Sequence, residues 1–268
     1  MSAAPAWSAL NVGGAVLNVV RRAGPPGRPP LVLVHSLGTD HRIWEPVADR
    51  LARRAPVISF DLRGHGLSDA DPAARLDAHA GDVIALLEDA GAGRGVVCGL
   101  SIGGQVAMAA ALAAPDRIAG LAVMGSGARI GDAARYAERA RRVREGGIDA
   151  IAAEQVDRWF SARSRAAMPD RVRLVATMLR RQPVEGYLAG VAALAEADLG
   201  DRPALIACPT LCLVGAEDVS TPPEAMRALA ETIPGAELVV VDGAGHLPPL
   251  EAPEAVAAAL GRLLDRVG

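Results

Sequence analysis

Lysine is missing from this chain: all 28 residues counted as Lys or Arg are arginine. Arginine serves on a solvated surface as well as lysine does, and alanine, glycine and proline abound, so the absence reads as coding bias rather than chemistry. There is no basic excess either. The net charge is -3 and the pI is near 6.0, which leaves nothing to neutralise a phosphate backbone and excludes a nucleic-acid binder. No apolar run reaches the roughly 18 residues of a membrane span. The first eleven residues lack the basic start and apolar core of a secretion signal. Cysteine is scarce and odd in number, at Cys98, Cys208 and Cys212. The Cys208–Cys212 spacing has no companion His or Cys, so no metal site is expected. Buried, reduced thiols in a cytoplasmic protein are the favoured reading. Aromatics number only seven, three Trp with two Tyr and two Phe. The sequence carries no signal for an oligomeric state.

What is present is a chain of 268 residues, 51% hydrophobic, the natural size of one α/β domain with an insertion. Residues 15–20 read as an early edge strand, ended by the Gly/Pro-rich turn at 24–30. Residues 31–34, 57–60, 94–98, 118–124, 210–214 and 237–241 are short apolar runs suited to buried parallel strands. Helical patterns lie between them; one puts Trp44, Val47 and Leu51 on one face, and the last puts Val256, Leu260, Leu263 and Leu264 on one face. Repeated strand–helix units predict a doubly wound, mostly parallel α/β sheet. The alternation breaks between 128 and 199, where Arg- and Ala-rich sequence is expected to form about four helices, punctuated at 145–147 and 168–170. These spacings predict a core from 1–127 and 200–268, with a helical cap at 128–199. An insertion between two strands of such a sheet should lie over the strand C-terminal ends, where ligands bind.

Gly99-Leu-Ser-Ile-Gly103 is the most informative stretch. It follows an apolar strand and precedes a helix-forming run, the context of a nucleophile elbow. A turn so tight strains its central residue and excludes side chains at the flanking glycines. A serine hydroxyl needs a base held by a third group. The order Ser…Asp…His follows in Ser101, Asp218 and His246, each just past an apolar strand. Ser101 would attack an acyl carbon, His246 would take its proton and later activate water, and Asp218 would orient the imidazole. The backbone N–H groups of Ile102 and Leu37 are the expected oxyanion donors. His35, His41, His65 and His79 compete with His246 as base, and Glu217 and Asp61 compete with Asp218. His79 sits on a helix and His65 in a glycine-rich loop, where structural hydrogen bonds are the default. Asp61, beside Arg63-Gly-His-Gly66, reads as an organiser of that loop. Cys98 falls inside a strand, where its thiol would be buried and inert.

Taken together, the elbow, the acid and His loops and Arg63-Gly-His-Gly-Leu-Ser-Asp69 resemble the α/β-hydrolase family over almost the whole chain. Further segments resemble the 3-oxoadipate enol-lactonases within it: His35-Ser-Leu-Gly-Thr-Asp40 with Trp44, Ala128-Arg-Ile-Gly131, Arg158-Trp-Phe160, Glu185-Gly-Tyr187 and Ala197-Asp-Leu199. The loop reads His-Ser rather than the His-Gly common in the wider superfamily, which suits this subgroup.

That resemblance implies a small-molecule lactone or ester as substrate, opened through an acyl-enzyme, with no metal or organic cofactor. The lactone of this family carries a free carboxylate. Arg129, near the start of the cap, is the candidate to pair with it, the equal alternative being a tie between cap and core. Trp159 and Tyr187 are candidates to line the pocket, although cap core is the favoured reading for each. A broad carboxylesterase or a cofactor-free perhydrolase on the same triad is the main rival. A non-catalytic ligand receptor on the same fold is a further one. Haloalkane dehalogenases and epoxide hydrolases are disfavoured because their nucleophile is Asp.

Overall fold

A computed structural model describes residues 4–267. Eight strands form one sheet in the order β1-β2-β4-β3-β5-β6-β7-β8. They are β1 (Ala6–Val12), β2 (Ala15–Arg22), β3 (Leu31–Val34), β4 (Val57–Phe60), β5 (Gly95–Leu100), β6 (Ile118–Met124), β7 (Thr210–Gly215) and β8 (Glu237–Val241). From β4 onward across the sheet every pairing is parallel, whereas β1–β2 and β2–β4 are antiparallel. The expected doubly wound, mostly parallel α/β sheet is therefore present.

The four central strands β3, β4, β5 and β6 are buried at every residue. Helices cover both of their faces, so an alternating polar pattern has no role there. Each fully buried Val, Leu or Ile contributes about 1.5–3 kcal/mol of burial. The edge strand β1 instead alternates between exposed and half-buried positions.

Three sequence expectations need correction. Residues 15–20 do not form the edge strand; β2 is flanked by β1, which the sequence reading passed over. The Gly13-Gly14 pair, both at positive φ, turns the chain between them, and a two-glycine loop is a hairpin signal. Second, the stretch between β6 and β7 holds five helices rather than four: α4 (Ala133–Gly146), α5 (Asp149–Trp159), α6 (Ala162–Ala167), α7 (Pro169–Arg180) and α8 (Val184–Glu196). The missed break is at Ser161, whose hydroxyl caps α6 by accepting from the Ser164 N–H. Third, the helix carrying Trp44, Val47 and Leu51 is a 3-10 turn at His41–Trp44 followed by α1 (Glu45–Leu51). Pro46 in the first turn of α1 suits that position, because its missing N–H would be unpaired anyway.

The remaining helices are α2 (Leu76–Asp89), α3 (Ile102–Ala113), α9 (Pro223–Thr232), α10 (Pro248–Glu251) and α11 (Pro253–Val267). Among the described residues, no helix is long and apolar enough to cross a membrane. The chain leaves β3 toward β4 on one side, while β5 pairs on the other side of β3. This is the switch point at which such sheets open a crevice beyond their strand tips.

The five inserted helices meet the loops at those tips. The backbones of Gly186 and Gly64 touch so closely that a Cβ on Gly64 would lie 2.5 Å from the Gly186 Cα. Gln182 Oε1 accepts from the Gly66 N–H at 2.9 Å, and the His246 N–H donates to the Trp159 carbonyl at 2.8 Å. Glu251 accepts from the backbone N–H groups of Ser161, Gly245 and Leu247. One carboxylate thus ties the inserted helices to the loop that carries His246.

Candidate active site

Ser101 stands between β5 and α3 with φ 60 and ψ -119. Among the described residues it is the one non-glycine at positive φ, a strained conformation that surroundings must impose. The imposing contacts are close: a Cβ on Gly99 would lie 1.8 Å from the Gly103 carbonyl oxygen, and one on Gly103 would lie 2.4 Å from that of Val34. The Ser101 N–H donates to the Met124 carbonyl at 2.9 Å, and the Ser126 hydroxyl donates to the Ser101 carbonyl at 2.7 Å. The elbow is held from β6 as well as by its own glycines.

Asp218 follows β7, and His246 follows β8. The His246 Nδ1 lies 2.7 Å from Asp218 Oδ2. Asp218 also accepts from the Ser220 and Thr221 N–H groups and the Thr221 hydroxyl, at 2.7 to 3.0 Å. Burial pushes the Asp218 carboxyl up, but the His246 charge and these donors outweigh it and hold the group below its ordinary value. An ionised Asp218 fixes the proton on His246 Nδ1 and turns Nε2 into the ring's acceptor. Ser101 and His246 line the same cavity.

Leu37 also lines that cavity. Among the described residues, the N–H groups of Leu37 and Ile102 donate no hydrogen bond. The loop beside Leu37 is fixed from below by two histidines. His35 Nε2 accepts from the Leu62 N–H at 2.8 Å, and its Nδ1–H donates to the Ser36 carbonyl. His65 Nε2 accepts from the Gly38 N–H at 3.1 Å. Burial lowers both pKa values, that of His65 to about 3, so both rings are neutral struts. Gly38 has φ +77, and a Cβ there would lie 2.7 Å from Leu179 Cδ1 and 3.0 Å from Tyr187 Cε2.

His41, His79 and Asp61 serve elsewhere. Asp61 accepts from the His41 N–H and Nδ1 on one oxygen, and from Asn18 Nδ2 and the Leu67 N–H on the other. All four of its lone-pair positions are therefore used. Asp40, His41 and Asp61 are grouped as metal ligands would be. However, Asp61 has no lone pair to spare, and Asp40 is held by Arg42 on both oxygens. The donor set does not fit a cation. Burial raises the Cys98 thiol far above its ordinary value, consistent with an inert strand cysteine.

The roof of the cavity comes from the inserted helices. Arg135, Tyr136 and Arg139 of α4, Gln155 and Trp159 of α5, and Leu194 of α8 line it. Trp159 therefore lines the cavity while packing in the core. Tyr187 does not line it; the ring is wholly buried behind Gly38, and the core reading holds for it. Arg129 is a correction. Its side chain is 52% exposed and reaches Asp198 at 3.4 Å, away from the cavity lining. It ties one end of the insertion to the other at the surface, because residue 129 precedes α4 and points outward. The cationic residues that do face the cavity, Arg135 and Arg139, were missed. Their i,i+4 spacing on an amphipathic helix, on the same side as Tyr136 and Ala140, was the available signal.

A model of the alpha/beta hydrolase family matches residues 31–259. The chain belongs to that family, a hydrolase whose relatives include esterases and lactonases. It is 33% identical over 244 residues to 3-oxoadipate enol-lactonase 2 of Acinetobacter baylyi, with 91% of each chain covered. The enol-lactonase of Burkholderia xenovorans superposes with a TM-score of 0.92 at 31% identity, covering 96% of this chain and 100% of that one. A malate-bound thermophilic esterase from Thermogutta terrifontis superposes with a TM-score of 0.90 at 34% identity, covering 99% of both chains.

Proposed function

We propose that this protein is a serine hydrolase that opens 3-oxoadipate enol-lactone to 3-oxoadipate, a step of aromatic-acid breakdown. Residues 128–199 act as a cap on the core formed by 1–127 and 200–268. The observation that carries the reading is the ionised Asp218 held 2.7 Å from His246 Nδ1, with His246 opening onto the cavity of the strained Ser101.

In this scheme His246 Nε2 takes the Ser101 proton as the serine oxygen bonds to the lactone carbonyl carbon. The Leu37 and Ile102 N–H groups receive the oxyanion, and Asp218 balances the imidazolium. The ring C–O bond then breaks. Its oxygen leaves as an enolate, is protonated from His246 and relaxes to a ketone. His246 next deprotonates water, which attacks the acyl-enzyme, and the carboxylic acid departs as Ser101 regains its proton. No step needs a metal. The lactone subclass is supported by the enol-lactonase relatives.

A broad carboxylesterase is the second reading, favoured by the similarity to the Thermogutta esterase. The deciding assay compares kcat/KM for the enol-lactone with that for neutral aryl esters on the purified protein. Preference for the lactone is expected; faster turnover of the neutral esters would replace the lactonase reading with the esterase one. Labelling by a serine-directed phosphonate distinguishes either from a receptor without turnover.

A further inference from the structure

Five arginines lie along α4, and the helix treats them differently. On its outer side Arg141 pairs with Glu138 and Glu145, Arg142 pairs with Glu154, and Arg144 stands exposed to solvent. On the side facing the Ser101 cavity, Arg135 and Arg139 have no carboxylate within ion-pair distance among the described residues. Both are half-buried. A third cation, Arg158, stands close enough that it and Arg139 add to burial in lowering the Arg135 pKa. Two like charges facing one narrow, partly desolvated cavity repel each other and favour an anion between them.

The uncharged groups agree. Gln155 is 4% exposed and lines the same cavity, yet its amide makes no hydrogen bond within the protein among the described residues. The amide opens onto the cavity rather than being sealed in the core, so its N–H groups are free to donate to a ligand there. Arg139 is steadied by the Tyr136 ring, with its guanidinium carbon 5.6 Å from the ring centroid. Ser101 and the arginines line one small space, Ser101 from the sheet side and the arginines from α4. An acyl group at the serine would place a short carboxylate arm against the roof.

We propose that Arg135 and Arg139, with the Gln155 amide, form a subsite for a free carboxylate on the acyl side of the substrate, so that the enzyme selects anionic short-chain lactones and esters over neutral ones. The subsite rests on the serine-hydrolase reading above but not on the particular lactone. It takes the role that Arg129 cannot fill from the surface.

The test uses a matched pair: the 4-nitrophenyl monoester of succinate, with one free carboxylate, and the methyl ester of that compound. Wild type favours the anion. Arg135→Leu and Arg139→Leu each lower the anionic-to-neutral ratio of kcat/KM about tenfold or more, the expected loss of a charge-assisted hydrogen bond. A ratio unchanged within about twofold in both variants, about a third of the free energy of that loss, overturns the subsite. If a variant does not fold, inhibition of intact wild type decides: adipate should compete with the ester and uncharged adipamide should not, and equal effects from the two overturn the proposal. An anion-selective ratio without enol-lactone turnover keeps the subsite and removes the lactone; enol-lactone turnover with an unmoved ratio does the reverse.

Discussion

The floor and the roof of the Ser101 cavity are built on opposite plans. On the floor, polar groups are tied down. Asp218 accepts four hydrogen bonds, His35 and His65 are neutral struts under the Leu37 loop, and the Ser101 peptide is anchored on both sides. On the roof, among the described residues, Arg135 and Arg139 have no carboxylate within ion-pair distance and the Gln155 amide makes no hydrogen bond. A floor saturated in this way holds reacting groups in place, as ester hydrolysis requires. A roof left unsatisfied loses folding stability and gains affinity for whatever completes it. In the proposed reading the reaction belongs to the floor and the choice of substrate to the roof.

The comparison breaks most sharply at Ser101. Replacing it with alanine should lower kcat by about 10⁴-fold or more, because triad members act as a unit. Circular dichroism and the thermal midpoint should stay near wild type. Residual activity within tenfold of wild type would remove Ser101 from the chemistry.

A smaller effect is expected from the histidines below the floor. His79 has its pKa lowered to about 4 by burial and by the Arg63 charge, and its Nδ1 is buried without a partner. In the unfolded chain it titrates near 6.5. The unfolded state therefore binds the extra proton first as pH falls from about 6.5 toward 4, and stability drops across that window. His35 and His65 act in the same direction, whereas Asp61 outweighs burial at His41 and raises its pKa, which opposes them. His79→Leu should flatten the slope of unfolding free energy by up to about 1.4 kcal/mol per pH unit, the limit for one proton. Denaturant titrations between pH 7 and 4.5 measure it, and an unaltered slope would mean that His79 does not titrate differently on folding.

The smallest effect belongs to Arg129. Arg129→Leu removes an exposed pair at 3.4 Å and should change stability by no more than about 0.5 kcal/mol. It should leave the anionic-to-neutral ratio where it was. A selective rise in KM for carboxylate-bearing substrates would return Arg129 to the site and weaken the case for Arg135 and Arg139.

Sequence patterning was most legible where one residue's role depends on its neighbours in the chain. The all-apolar run at 31–34 identified a strand buried on both faces, and the glycines around Ser101 identified a turn that only small residues permit. The β1–β2 hairpin was passed over because β1 alternates weakly and its mean burial is low, although Gly13-Gly14 marked the turn. The break at Ser161 escaped because an N-cap serine inside an Arg- and Ala-rich stretch resembles a surface residue of one longer helix.

By itself the sequence determined the sheet, the elbow and the order of hydroxyl, carboxylate and imidazole along it, since strand tips on a parallel sheet emerge on one side whatever the loops between them do. Only the tertiary structure decided which of 28 arginines face the cavity. Arg129 and Arg135 are six residues apart and chemically identical. What separates them is that Arg129 precedes α4 and reaches Asp198 at the surface, whereas α4 carries Arg135 to the cavity, and both placements are set by packing between elements distant in the chain.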